Sequence, residues 1–190
     1  MRFRDAFPLE KTSVALLILV AACRQPGGVV ATPSPRTSRV HVESQHVDYD
    51  IVATPEGSEI RALLRFSAAD VWRALPRVYA DLAIPIESLD AAHYLLVGVA
   101  YARRTFANGP LSALIDCGST LMGPNANSYN VRLHFQNQVD STDKTQTSLR
   151  TLVTATAASD GGTTVRCSST GQVERLITNR VSGLLIQGSK

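Results

Sequence analysis

Tyr129-Asn130-Val131-Arg132-Leu133-His134-Phe135-Gln136-Asn137-Gln138-Val139 is the stretch on which the fold turns. Tyr129, Val131, Leu133, Phe135 and Val139 fall on one face at a period of two, and Asn130, Arg132, His134, Gln136 and Gln138 fall on the other. Strict alternation over this length describes a β-strand with one buried face and one wet face, the signature of an antiparallel sheet covered on one side. His134 therefore points to solvent beside Arg132 and Gln136.

Working outward, Asp140 to Gln146 reads as a hairpin loop. Thr147 to Ala158, rich in Thr, Val and Ala, is the returning strand. Asp160-Gly161-Gly162 is a turn and Thr163 to Cys167 a last short strand. The chain then changes period. Ser169 with Gln172 has the spacing of a capping box, and Val173, Leu176, Ile177, Val181 and Leu184 form an apolar stripe at helical spacing.

Upstream, Val47 to Val52 alternates as a strand, Pro55-Glu56-Gly57-Ser58 is a turn, and Glu59 to Phe66 returns beside it. Ser67 and Asp70 cap a helix carrying Val71, Trp72, Leu75, Val78, Tyr79 and Leu82 as one stripe. Pro76 lacks the N–H that would bond to the Trp72 carbonyl, which predicts a kink or break there. Ile86 to Asp90 is a short connection or strand. His93 to Ala102 is a longer strand whose two faces are both apolar, which predicts cover on each side. Residues 103–127 are irregular, with a turn at Asn108-Gly109-Pro110 and one helical turn over Leu111 to Ile115. Irregular loops of this length often serve as binding surfaces, which makes Arg103, Arg104 and Asp116 the candidate binding residues; the reading that weighs more is structural, with the loop there to bring Cys117 to Cys167. The sum is an α+β domain, a mostly antiparallel sheet with two amphipathic helices on one face.

Before this domain, Thr12 to Ala22 is apolar behind a short charged head and ends at Val20-Ala21-Ala22-Cys23. The apolar run is too short to span a bilayer and has the layout of a secretory signal. Read alone, it has a plainer alternative as a buried helix of a soluble protein, but Arg24-Gln25-Pro26-Gly27-Gly28 gives such a helix no continuation. Val20 to Cys23 resembles the lipobox of bacterial lipoproteins. That resemblance implies removal of residues 1–22, a diacylglyceryl and palmitate-bearing Cys23, and contact with the membrane through acyl chains. Arg24 after the lipidated Cys implies the outer membrane. From Arg24 to about His46 the proline- and glycine-bearing stretch reads as a tether spanning roughly 25–30 Å as a coil, with residues 47–190 as the single domain.

Charge and cysteine content bound the function. The signal holds three of the nineteen basic and two of the sixteen acidic residues, so the remainder stays near neutral at +2. No Lys/Arg run exceeds Arg103-Arg104, so nucleic acid is not an expected partner. Assigning Cys23 to lipid leaves Cys117 and Cys167, either one disulfide formed in an oxidising compartment or two free thiols. His41, His46, His93 and His134 are scattered without ligand spacing, so neither metal nor cofactor is expected.

Ser67-Ala68-Ala69-Asp70-Val71-Trp72-Arg73-Ala74-Leu75, followed by Leu82-Ala83-Ile84-Pro85-Ile86 and a long strand, resembles the helix-grip domains of the NlpB/BamC family of outer-membrane assembly lipoproteins. That family brings no catalytic residues. No nucleophile elbow, phosphate-cradling glycine loop or zinc-protease motif is present. The expected role is that of a lipid-anchored, non-enzymatic binding or scaffolding domain facing the periplasm, with an envelope protein or polymer as partner. The alternatives are a periplasmic hydrolase built on the 103–127 loop and a carrier holding a small apolar ligand between helices and sheet.

Overall fold

The computed structural model describes residues 38–43, 47–54 and 57–188. All of them fall within one unit, Pro33–Lys190. The signal, Cys23 and most of the tether lie outside the described residues.

The sheet is built from hairpins. Strands β1 (Ser38–Glu43), β2 (Val47–Thr54) and β3 (Gly57–Leu64) form an antiparallel ladder. After helix α1 (Ala68–Asp81) come β4 (Ile86–Asp90) and β5 (Leu95–Arg103), again antiparallel. The 104–127 segment contributes short pieces: β6 (Thr105–Phe106), β7 (Gly109–Pro110), α2 (Leu111–Leu114), β8 (Ile115–Asp116), β9 (Ser119–Thr120), β10 (Gly123–Pro124) and one turn of 3-10 helix at Asn125–Asn127. Strands β11 (Asn130–Ser141), β12 (Thr147–Ala158) and β13 (Thr164–Ser169) then run into helix α3 (Gln172–Gly188). In space the order is β1-β2-β3-β12-β11-β5, with β4 beyond β5. β12 shares its other edge between β3, along Thr147–Val153, and β13, along Ala155–Ala158. The mostly antiparallel α+β architecture is as the alternation predicts.

Period two puts Val131, Leu133, Phe135, Asn137 and Val139 of β11 on the inner face, with Leu149, Thr151, Val153, Ala155 and Ala157 of β12. Both helices pack there. From α1, Tyr79 meets Phe135 edge-on at 6.3 Å, and Phe106 stacks on Phe135 at 5.7 Å. Such pairs add specific geometry to the apolar burial that drives the packing. From α3, Val173, Ile177 and Val181 are fully buried.

A polar chain crosses this core. The buried Tyr79 hydroxyl donates to Asn137 Oδ1 at 2.8 Å, and Asn137 Nδ2 donates to Thr151 Oγ1 at 2.6 Å. Burial pushes the Tyr79 phenol well above its ordinary range, so it remains a donor. Each member satisfies the next, which is what a buried polar group requires.

The caps differ in detail from the sequence expectation. Ser67 Oγ accepts from the Asp70 N–H as expected, while the Asp70 carboxylate accepts from the Ser67 hydroxyl rather than from a backbone N–H. At α3, Ser169 Oγ instead donates to Glu174 Oε2 at 2.8 Å and accepts from the Gly171 N–H at 3.1 Å; Gln172 has no part in it. Gly171 lies at φ +79°, a left-handed turn that shifts the helix start to Gln172.

Three further expectations are corrected. Of the kink or break expected at Pro76 the break does not occur: helix α1 is continuous, one hydrogen bond is lost, and Val71, Ala74, Leu75, Val78 and Tyr79 on both sides of the proline stay seated in the core. The sheet also begins nine residues before Val47, because β1 pairs with β2 from Ser38↔Ala53 to Glu43↔Asp48. The Val40-His41-Val42 alternation within the stretch read as tether completes a ladder along the free edge of β2. Third, no described helix packs on the outer face of β5. Leu95, Val97 and Val99 there are only half-buried, and Tyr101 is 79% exposed.

Candidate functional site on the open sheet face

Because the inward positions of β11–β13 are fixed by the core, their outward positions are fixed as well. On β11, Val131, Leu133 and Phe135 point in, so Arg132 and His134 point out. On β12, Val153, Ala155 and Ala157 point in, leaving Thr154 and Thr156 outward. On β13, Cys167 points in and joins Cys117, leaving Arg166 and Ser168 outward.

Register then sets these side chains in two rows. Arg132 is opposite Thr156, and Thr156 is opposite Arg166. In the next row His134 is opposite Thr154, with Ser168 beyond it. The six residues line an open cleft of about 720 Å3. Cations stand on the flanking strands and hydroxyls along the middle one. Among the described residues no acidic side chain lines it.

The disulfide holds this arrangement. β8 pairs with β13 through Ser168↔Asp116 and Ser169↔Ile115, and Cys117–Cys167 locks the next position. Thr170 reinforces the seam, its N–H donating to the Leu114 carbonyl and its hydroxyl reaching the Ala113 and Leu114 carbonyls. Without that seam β13 would be held by four residue pairs along the end of β12.

The residues singled out in the 103–127 loop do not meet in this cleft. Arg103 pairs with Asp160 at 3.0 Å. Arg104 is exposed at φ +68°. Asp116 turns its Oδ1 to the Gly118 N–H at 2.8 Å, closing a local turn. The loop is chiefly structural, since Phe106, Leu111, Ile115 and Ala126 are buried in the common core. Its hairpin turns at Ala107-Asn108, both at positive φ, the backbone that a two-residue connection matched to strand twist requires. His93 is likewise local: its Nδ1 lies 2.7 Å from Asp90 Oδ2, and this contact is the main reason the Asp90 carboxyl sits below its ordinary range.

Of the residues singled out in the sequence for binding or the disulfide, Cys167 alone borders the cleft; His134, read there as part of a solvated face, lies in it without a neighbouring carboxylate among the described residues. Arg166, Thr154, Thr156 and Ser168 carry no signal in the sequence. Their grouping depends on the register of three strands, which alternation within one strand does not encode. Among the described residues there is no group of three or more His, Cys, Asp or Glu placed to hold a metal ion, and no helix long and apolar enough to cross a membrane. Between α1 and the sheet the interval is filled by side chains with no exposure, Tyr79, Phe135, Leu75 and Leu133 among them.

No protein-family model, curated protein or solved structure matches the chain.

Proposed function

We propose that this chain is a lipid-anchored envelope protein whose domain binds rather than catalyses, and that the open face of its sheet is the working surface. The observation that carries this reading is the cleft on β11–β13, where outward cations and hydroxyls converge on a face that α1 and α3 leave bare. A surface of preplaced donors suits recognition. Nucleophilic or general-base chemistry would ask for a base held in place by a third group, and His134 has no such partner among the described residues.

The anchoring half of the proposal rests on Val20-Ala21-Ala22-Cys23, with the acyl chains on Cys23 attaching the protein to the outer membrane on its periplasmic side. The Cys117–Cys167 disulfide supports an oxidising compartment, where such bonds persist. Tethered in this way, the domain would meet an envelope protein or polymer through its open face.

The test has two arms. Metabolic labelling with an alkyne palmitate should tag the wild-type protein and leave Cys23→Ala unlabelled. A photo-crosslinking residue at Gln136, outward on β11, should give adducts in intact envelopes that the same residue at Arg73, on the solvent side of α1, does not. An unacylated Cys23 behind an intact residue 1 sinks the anchoring, and equal adducts from both positions sink the working face.

A further inference from the structure

We propose that the cleft on β11–β13 is a phosphate-group site, with Arg132 and Arg166 as the two jaws and the hydroxyls of Thr154, Thr156 and Ser168 as its floor. This rests on the open face being the working surface and names the chemistry it takes.

The first observation is the spacing. Arg132 and Arg166 flank Thr156 in one cross-strand row, so their Cα atoms stand two strand spacings apart, about 10 Å. Two arginine stems rising from either side can bring their guanidinium forks over the same point above Thr156.

The second is charge balance. Three other arginines of the sheet have acids beside them: Arg61 has Glu59 at 3.0 Å, Arg103 has Asp160 at 3.0 Å, and Arg150 has Asp140 at 3.8 Å. The guanidinium groups of Arg132 and Arg166 have neither an ion pair nor a hydrogen bond to any described residue. Two acids stand at the ends of the cleft, Asp116 opposite Ser168 with its Oδ1 on the Gly118 N–H, and Asp160 beside Asn130 and paired with Arg103; neither lines it. Two like charges left uncompensated in a concavity concentrate a positive field where an anion would sit.

The third is the directionality of the donors. A planar carboxylate is satisfied by one guanidinium fork. This cleft offers two forks from opposite sides, hydroxyls from below and the His134 ring from the adjoining row. Such an arrangement suits a tetrahedral anion with three or more accepting oxygens. Tyr101, opposite Arg132 and 79% exposed, extends the row with an aromatic face on which the carbon part of a phosphoester can rest.

A soluble phosphoester and a lipid headgroup present the same phosphate oxygens to this site, and the two arms of the test separate them. Calorimetric titration of the full-length protein in neutral detergent should detect pyrophosphate and glycerol phosphate, with affinity falling as salt rises. Each of Arg132→Gln and Arg166→Gln should weaken binding about tenfold, and the double variant should abolish it, as expected for losing charge-assisted hydrogen bonds. Arg73→Gln on α1 should leave it unchanged. Co-flotation with phosphatidylglycerol vesicles, against vesicles of phosphatidylcholine alone, is the second arm. Arginine-dependent binding in solution only marks a soluble ligand, and arginine-dependent flotation marks a headgroup; either supports the site. Wild-type affinity in the double variant, equal affinity for acetate, or no binding in both arms overturns it. If binding fails while Gln136 still yields adducts, the ligand class is wrong and the working face stands.

Discussion

Replacing Glu174 by Gln should make the protein's stability less dependent on pH, by an amount the structure sets. Glu174 is fully buried in the first turn of α3. Its Oε2 accepts from Ser169 Oγ at 2.8 Å, while its Oε1 has no partner. Burial pushes the carboxyl up from an ordinary 4.5 to about 7, against the Ser169 hydrogen bond and the charge of Arg175, which act downward. The folded state thus holds this proton more tightly than the unfolded chain does. The stabilisation is complete below about pH 4.5 and is lost as pH rises through about 7. A rise of this size is worth about 3 kcal/mol. Glu174→Gln keeps the shape and the oxygen facing Ser169 but never ionises. Urea unfolding of both proteins at pH 4.5, 6 and 8 should show the variant gaining on the wild type by about 3 kcal/mol across the series. Other titrations, such as those of Asp90 and Asp143, are common to both and cancel in the difference. A difference independent of pH, or a wild type that gains on the variant as pH rises, would refute the reasoning.

Two further outcomes follow from the core and the staple. Gly98→Ala should cost about 1–3 kcal/mol in thermal or urea unfolding, because its Cβ would stand 2.6 Å from the Tyr79 ring and 2.8 Å from the Pro85 carbonyl oxygen; an unchanged midpoint would show that α1 can retreat from β5. Removing the disulfide through paired Cys117→Ala and Cys167→Ala changes frees a loop of 50 residues. The expected loss is up to about 4 kcal/mol, read by the same unfolding curves, with hydrogen exchange rising first in β8 and β13.

Much of the fold was legible because burial repeats with the period of the backbone. The alternation from Tyr129 to Val139, the capped stripe after Ser67 and the stripe after Val173 each carry their element type in a few residues, since one face of each must leave water. Asn137 shows the limit of that reading. It occupies an inward position in a strand whose other inward residues are apolar, and the Tyr79 hydroxyl, 58 residues away, together with Thr151 on the neighbouring strand, makes its burial tolerable. Glu174 is the same case in a helix: a charged residue type beside the apolar stripe, fully buried and held by the Ser169 hydroxyl at the helix start.

The sequence by itself determined the type of β11, β12, α1 and α3, which side of each is wet, and that two cysteines remain once Cys23 is set aside, because these depend on neighbours within a few residues; β1 and the bare outer face of β5 were not legible in that way. Tertiary structure alone decided that β12 lies between β11 and both β3 and β13, and hence that Arg132, Thr156 and Arg166 share a row. Strand order and register are settled by closing loops and fitting side chains into a single core. The outward face inherits its chemistry from that fit, through residues up to 34 positions apart that have no local reason to be neighbours.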